Sequence, residues 1–124
     1  MKWPWWLPFG HVPEIEAGQL HARLQGDPAP QVVDVRTVIE WRSSRIPGAI
    51  SVPVTELRAR LPSLGLDRSR PVVAICLSAH RSIPAVRMLR ASGFEACQLS
   101  GGMRAWWRAG LPVLQGNGEQ AASR

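Results

Sequence analysis

The stretch Val72 to Gly93, VVAICLSAHRSIPAVRMLRASG, restricts this chain to few folds. Val72, Val73, Ala74 and Ile75 form a continuous apolar run after Pro71, the pattern of a short strand in a parallel sheet covered on both faces. Cys76 stands where that strand ends. Ser82 is a candidate cap for the next element, Pro84 fits a first helical turn, and Ile83, Val86 and Leu89 recur at helical spacing up to Gly93. A helix is therefore predicted to begin just after Arg81. In a strand, loop and helix of this kind the segment Cys76 to Arg81 can turn its backbone N–H groups inward, and the helix macrodipole adds positive charge there. The result is a site for an anion opposite a thiol. The same field stabilises a thiolate, lowering a cysteine pKa from about 8.5 into a range of roughly 3.5 to 7.5.

A plainer reading competes with this one, because a lone cysteine at a strand end is often a small buried hydrophobe. The flanking residues favour chemistry: small or polar Ser78, Ala79 and His80, then the cation Arg81, then a helix start. A residue needed only for packing has no use for such neighbours.

With 124 residues, 45% of them hydrophobic, the chain can bury one sizeable core and is too short for two ordinary domains. The net charge is +6, but Lys2 is the sole lysine and the arginines are scattered, without a zinc knuckle or basic helix. Nucleic acid is accordingly not expected as a partner, while small anionic substrates fit the charge. Cys76 and Cys97 fall on what read as adjacent strands and lack the dense spacing of a disulfide framework, so a reducing, cytoplasmic setting is expected. There is no run of membrane-spanning length and no secretion signal is read in the opening MKWPWWLPFG.

Residues 1–12 read as a Trp-rich extension, with Trp3, Trp5, Trp6, Leu7 and Phe9 set between prolines. Packing back onto the domain is the favoured reading for these rings, with membrane-interface contact or self-association as alternatives. A domain is expected over 13–114. Ile15 belongs to a short edge strand, Ala17 to Leu24 to a helix, and Gln31 to Val35 to a second buried strand whose end presents Asp34 and Arg36. That end matters because ligands of open α/β sheets bind beyond the carboxyl ends of the strands. Glu40 and Trp41 fall in a short helical or turn segment, Ala49 to Val52 in a third strand, Thr55 to Leu61 in a helix with Leu57 and Leu61 inward, and Phe94 to Leu99 in the last strand. Gly101-Gly102 reads as a turn and Met103 to Ala109 as a helix with Trp106 or Trp107 inward. Residues 115–124 read as a flexible tail.

Four segments in order resemble the rhodanese-like sulfurtransferases: VVDVR with Glu40-Trp41, IPGAISVP, CLSAHRS and LSGGMRAWWRAGLPV. The resemblance runs from about Pro13 to Leu114. It implies an α/β fold with a central, mostly parallel five-stranded sheet and helices on both faces. It also implies a thiosulfate sulfurtransferase type of enzyme in which Cys76 carries a sulfane sulfur as a persulfide, from thiosulfate or a related donor to cyanide, a thiol or a protein acceptor. No metal or organic cofactor is required. Leu77, Ser78, Ala79, His80, Arg81 and Ser82 correspond to the family's active-site loop, with Asp34, Arg36 and Glu40 supporting it. Arg81 either orients the loop or forms an ion pair with an acid such as Glu40, and Asp34 and Arg36 either bond each other or leave Arg36 to meet substrate. Cys97 reads as core. The chain departs from the family pattern at Ala79, where glycine is usual, at His80, where asparagine is common, and at Arg45, where histidine is usual.

Two other functions compete. A cysteine-dependent phosphatase has a similar loop but one residue more between cysteine and arginine, whereas here only four residues separate Cys76 from Arg81. A non-catalytic rhodanese-like binding module commonly lacks the cysteine, which this chain retains.

Overall fold

The computed structural model describes residues 12–78, 81–116 and 119–120. Most of the Trp-rich extension, Ala79 and His80 of the loop, and residues 121–124 lie outside the described residues. Chain order is β1 (Glu14–Ile15), α1 (Ala17–Leu24), β2 (Gln31–Asp34), α2 (Val38–Ser43), β3 (Ile50–Ser51) and α3 (Val54–Arg60). It continues with β4 (Val72–Ile75), α4 (Ser82–Ala91), β5 (Ala96–Leu99), α5 (Gly102–Arg108), β6 (Leu114–Gln115) and β7 (Glu119–Gln120).

The first five strands form one sheet in the order β1-β5-β4-β2-β3, every pair parallel. This is the expected five-stranded α/β architecture. Because successive strand residues face opposite sides, each apolar run feeds two cores. Val33, Val72, Ala74 and Cys76 face Leu57 of α3 and Ala85, Val86 and Leu89 of α4. Val32, Val73, Ile75 and Leu99 face Leu20 of α1 and Met103 and Trp106 of α5. Trp106 is the inward tryptophan of its helix, fully buried, and its Nε1 donates to the Pro112 carbonyl at 2.9 Å. The buried ring thus keeps its polar atom satisfied.

One expectation needs correction: Ser82 is the first helical residue, not the cap, which is Arg81, and no side chain caps this end. Val12 is buried in the core. Leu114–Gln115 pairs antiparallel with Glu119–Gln120 in a hairpin. That hairpin is anchored by Arg45, one of the three departures from the resemblance. Arg45 is buried, stacks 4.0 Å over the Trp41 ring and donates to the Gly116 carbonyl at 3.1 Å. The departure at this position ties α2 to the chain end.

The turn before α5 proves tighter than a turn needs to be. Gly102 has φ +56, and a Cβ on it would overlap the carbonyl oxygens of Cys76 and Leu77. Gly18 in α1 meets nothing within 4 Å. Gly102→Ala is therefore expected to lower the thermal midpoint by roughly 5 °C or more, from backbone strain of about 1–3 kcal/mol plus the overlap. Gly18→Ala should instead stabilise by about 0.5–1 kcal/mol. Thermal melts of the two variants check this pair.

Candidate active site

The site is built where three elements end together: β4 at Cys76, β2 at Asp34, and the start of α4. Parallel strands place all carboxyl ends on one edge of the sheet, so this convergence follows from topology. Cys76 is 1% exposed, with its Sγ 3.4 Å from the Ser82 hydroxyl.

The first half of the loop is held from behind by α5. The N–H groups of Met103 and Arg104 donate to the carbonyls of Cys76 and Leu77 at 2.8 and 3.1 Å. Helix N-termini carry N–H groups with no partner inside the helix, and here two of them are spent on the loop. In a planar trans peptide the N–H points opposite to the carbonyl, so the N–H groups of Leu77 and Ser78 are directed away from α5. Gly102 permits this approach. Local pattern gives Gly101-Gly102 only as a turn, and the mark this approach leaves in the sequence is two adjacent glycines directly before a helix.

The far end of the loop is held from the side by α2. Arg81 donates to both carboxylate oxygens of Glu40, NH1 to Oε1 at 2.8 Å and NH2 to Oε2 at 3.1 Å. Both readings of Arg81 therefore meet in one contact: it is an ion pair, and the pair fixes the end of the loop. Glu40 is itself oriented by Thr37, whose N–H and hydroxyl donate to Oε1 at 3.1 and 3.0 Å while Thr37 Oγ1 caps α2. The Arg81 guanidinium, chiefly through its hydrogen bonds, holds the Glu40 carboxyl down at about 2.

Asp34 and Arg36 pair with each other, as one of their two readings had it. Arg36 donates from Nε to Oδ1 at 2.9 Å and from NH2 to Oδ2 at 2.7 Å, and NH2 also donates to the Ser44 carbonyl at 2.6 Å. Both residues are buried, at 0 and 1% exposure. The pair braces the end of β2 against the chain after α2, and Ser44 Oγ accepts from Trp107 Nε1 of α5 at 2.9 Å. Arg36 thus serves the frame. Cys97 lies on the other face of the sheet, half-buried, and burial pushes its thiol up to about 11. It is a poor nucleophile near neutral pH.

Local pattern does not single out Gln98, whose one mark in the sequence is a polar residue inside the short buried strand β5. Ser82 Oγ donates to Gln98 Oε1 at 2.6 Å, and Gln98 Nε2 donates to Glu14 Oε2 at 2.8 Å. A groove of about 980 Å³, lined by Pro30, Gln31, Leu64 and Arg70 among others, includes none of the predicted site residues. It lies toward the amino ends of β2 and β4, away from Cys76. No group of side chains suited to a metal ion occurs among the described residues, and none of their helices is long and apolar enough to cross a membrane.

The Arg81–Glu40 pair carries a pH signature. Glu40 is ionised in the folded protein down to about pH 2, against 4.5 for its ordinary value, so its contribution is complete above about pH 4.5 and disappears as pH falls toward 2. The partners are 36 and 30% exposed, and solvent screening leaves a contribution of about 1 kcal/mol. Glu40→Gln should lose this amount at pH 7 and match the parent at pH 2. Urea unfolding at a series of pH values measures it.

The chain is similar to known proteins over most of its length. The family model for the rhodanese-like domain matches residues 16–109. The chain is 34% identical over 108 residues to a sulfurtransferase of Allochromatium vinosum, covering 86% of this chain and 99% of that one. It is 44% identical over 87 residues to an HTH-type transcriptional regulator of Mycobacterium tuberculosis, covering 68% of this chain and only 38% of the regulator. Among solved structures, a rhodanese-related protein from Thermoplasma volcanium superposes with a TM-score of 0.74 at 30% identity, over 82% of this chain and 97% of that one. Of these, the Allochromatium vinosum relative is named a sulfurtransferase. Matched over most of its length in sequence and in fold, the chain belongs to the rhodanese-like domain family.

Proposed function

We propose that the protein is a sulfurtransferase in which Cys76 carries a sulfane sulfur as a persulfide between an anionic donor, such as thiosulfate, and a thiophilic acceptor. The observation that carries this reading is the position of Cys76: a thiol at the carboxyl end of the central strand, opening a loop braced by α5 at one end and by Glu40 at the other. The Cys76 thiolate attacks the outer sulfur of the donor, a Cys76 Sγ–S bond forms as the donor S–S bond breaks, and sulfite leaves with the bonding electron pair. An acceptor thiolate or cyanide then attacks the outer sulfur and returns Cys76 as a thiolate. Covalent catalysis of this kind needs an activated nucleophile and donors preorganised around the developing anion.

The Arg81 guanidinium at the loop is paired with Glu40, and Leu77 and Ser78 carry no charge, so the reading assigns the anionic donor chiefly to backbone N–H groups of the loop. A thiol, free or on a protein, is the acceptor we favour in a cell; relatives named tRNA sulfurtransferase and adenylyltransferase and sulfurtransferase support transfer beyond small molecules. A non-catalytic binding role is disfavoured by the retained cysteine. Phosphoryl transfer is disfavoured because four residues between Cys76 and Arg81 make a ring too small for the equatorial oxygens of a phosphoryl group.

Cys76→Ser is expected to abolish sulfur transfer from thiosulfate to cyanide, while Cys97→Ser keeps most of it. After exposure to a sulfane donor the parent should gain the mass of one sulfur at Cys76 and lose it to cyanide or a thiol. Rate assays and intact-mass spectrometry test this, and an equal loss in both variants would remove the assignment. Aryl phosphates should be hydrolysed negligibly, and turnover of them without any persulfide would overturn the reading.

A further inference from the structure

Behind Cys76 runs a line of hydrogen bonds that ends at the protein surface. Cys76 Sγ meets Ser82 Oγ at 3.4 Å, Ser82 Oγ donates to Gln98 Oε1 at 2.6 Å, and Gln98 Nε2 donates to Glu14 Oε2 at 2.8 Å. Ser82 and Gln98 are buried, at 0 and 4% exposure, whereas Glu14 on the edge strand β1 is exposed.

The direction of this line is fixed by chemistry. A carboxylate only accepts, so the Gln98 amide must turn Nε2 toward Glu14 and Oε1 toward Ser82. Oε1 also only accepts, so the single hydroxyl proton of Ser82 is committed to Gln98. Toward Cys76, Ser82 then presents a lone pair, which suits an S–H donor and not a thiolate. To stabilise the thiolate, Ser82 must turn its proton to Sγ and leave a buried amide oxygen without it, and an unsatisfied buried acceptor is costly. Once the outer sulfur is attached, Sγ has no proton and no full charge, so the bond from Ser82 to Gln98 stays in place.

We propose that Glu14 and Gln98 are positioning residues that set the direction of the Ser82 hydroxyl, and through it hold the resting Cys76 toward the thiol while leaving the sulfur-loaded form unaffected. The proposal deepens the sulfurtransferase reading, on which its functional meaning rests. The charged groups around Cys76 stay constant in the test: Arg81 with its partner Glu40, and the Asp34–Arg36 pair at the end of β2.

The test reads the Cys76 ionisation in the full chain carrying Cys97→Ser, from thiolate absorbance and from the pH dependence of iodoacetamide alkylation. Gln98→Leu removes the acceptor and releases the Ser82 proton to Sγ. A hydrogen bond to a charged group predicts a fall of about one pH unit, or roughly tenfold more thiolate below the pKa. Glu14→Gln, an exposed and fold-neutral change, lets the Gln98 amide turn over and should shift the pKa the same way by a smaller amount. Adding Ser82→Ala to either should cancel its effect, because the two act only through that hydroxyl. An unchanged or raised pKa in Glu14→Gln, or a fall that survives Ser82→Ala, overturns the proposal. Should Gln98→Leu fail to fold, Glu14→Gln with and without Ser82→Ala still decides it. The ionisation is read without any sulfur donor, so its outcome is separate from whether the protein transfers sulfur.

Discussion

β4 has a parallel neighbour on each side, β2 and β5, and a layer of helices on each face. Everything at the site depends on that enclosure. A strand shielded on all sides cannot shift register without moving both cores, because a slip of one residue exchanges the residues of its two faces. Val72, Ala74 and Cys76 are thereby committed to the α3/α4 side, and Val73 and Ile75 to the α1/α5 side. The position of the thiol is a consequence of packing several residues away from it.

The described ends of the loop that follows β4 are held by neighbouring elements. The first N–H groups of α5 take its first two carbonyls, and Glu40 takes the guanidinium at its far end. Each brace rests on a further element: α5 on the buried Trp106, and Glu40 on the cap formed by Thr37. The Asp34–Arg36 pair adds a buried ionic contact between β2 and the segment after α2. A buried pair of this kind is weak as a source of stability but strongly resists separation of its partners, which suits a frame that must keep its shape.

The two cysteines show how place in the fold divides identical side chains. Cys97 meets desolvation that raises its pKa, away from the loop. Cys76 closes the central strand and faces Ser82, whose hydroxyl is bonded to Gln98 and, through it, to Glu14.

The amino-acid sequence by itself determined the element types and their order, because they rest on local pattern. VVAI, the helical spacing of Ile83, Val86 and Leu89, and the ends at Asp34 and Cys76 are read within a few residues. The spacing of Cys76 and Arg81 and the four family-like segments likewise name the candidate site residues without a structure. The tertiary structure alone decided which distant residues serve that site. Nothing near Gly102 announces that its missing Cβ makes room for the carbonyls of Cys76 and Leu77. Nothing near Glu14 links it to Gln98 across 84 residues. The local position of Ser82 suggests a cap, yet its hydroxyl turns inward to Cys76 and Gln98 because α4 packs on β4 and β5. Local pattern encodes what a segment becomes, whereas a hydrogen-bond partner depends on which surfaces the packed helices and strands bring within 3 Å.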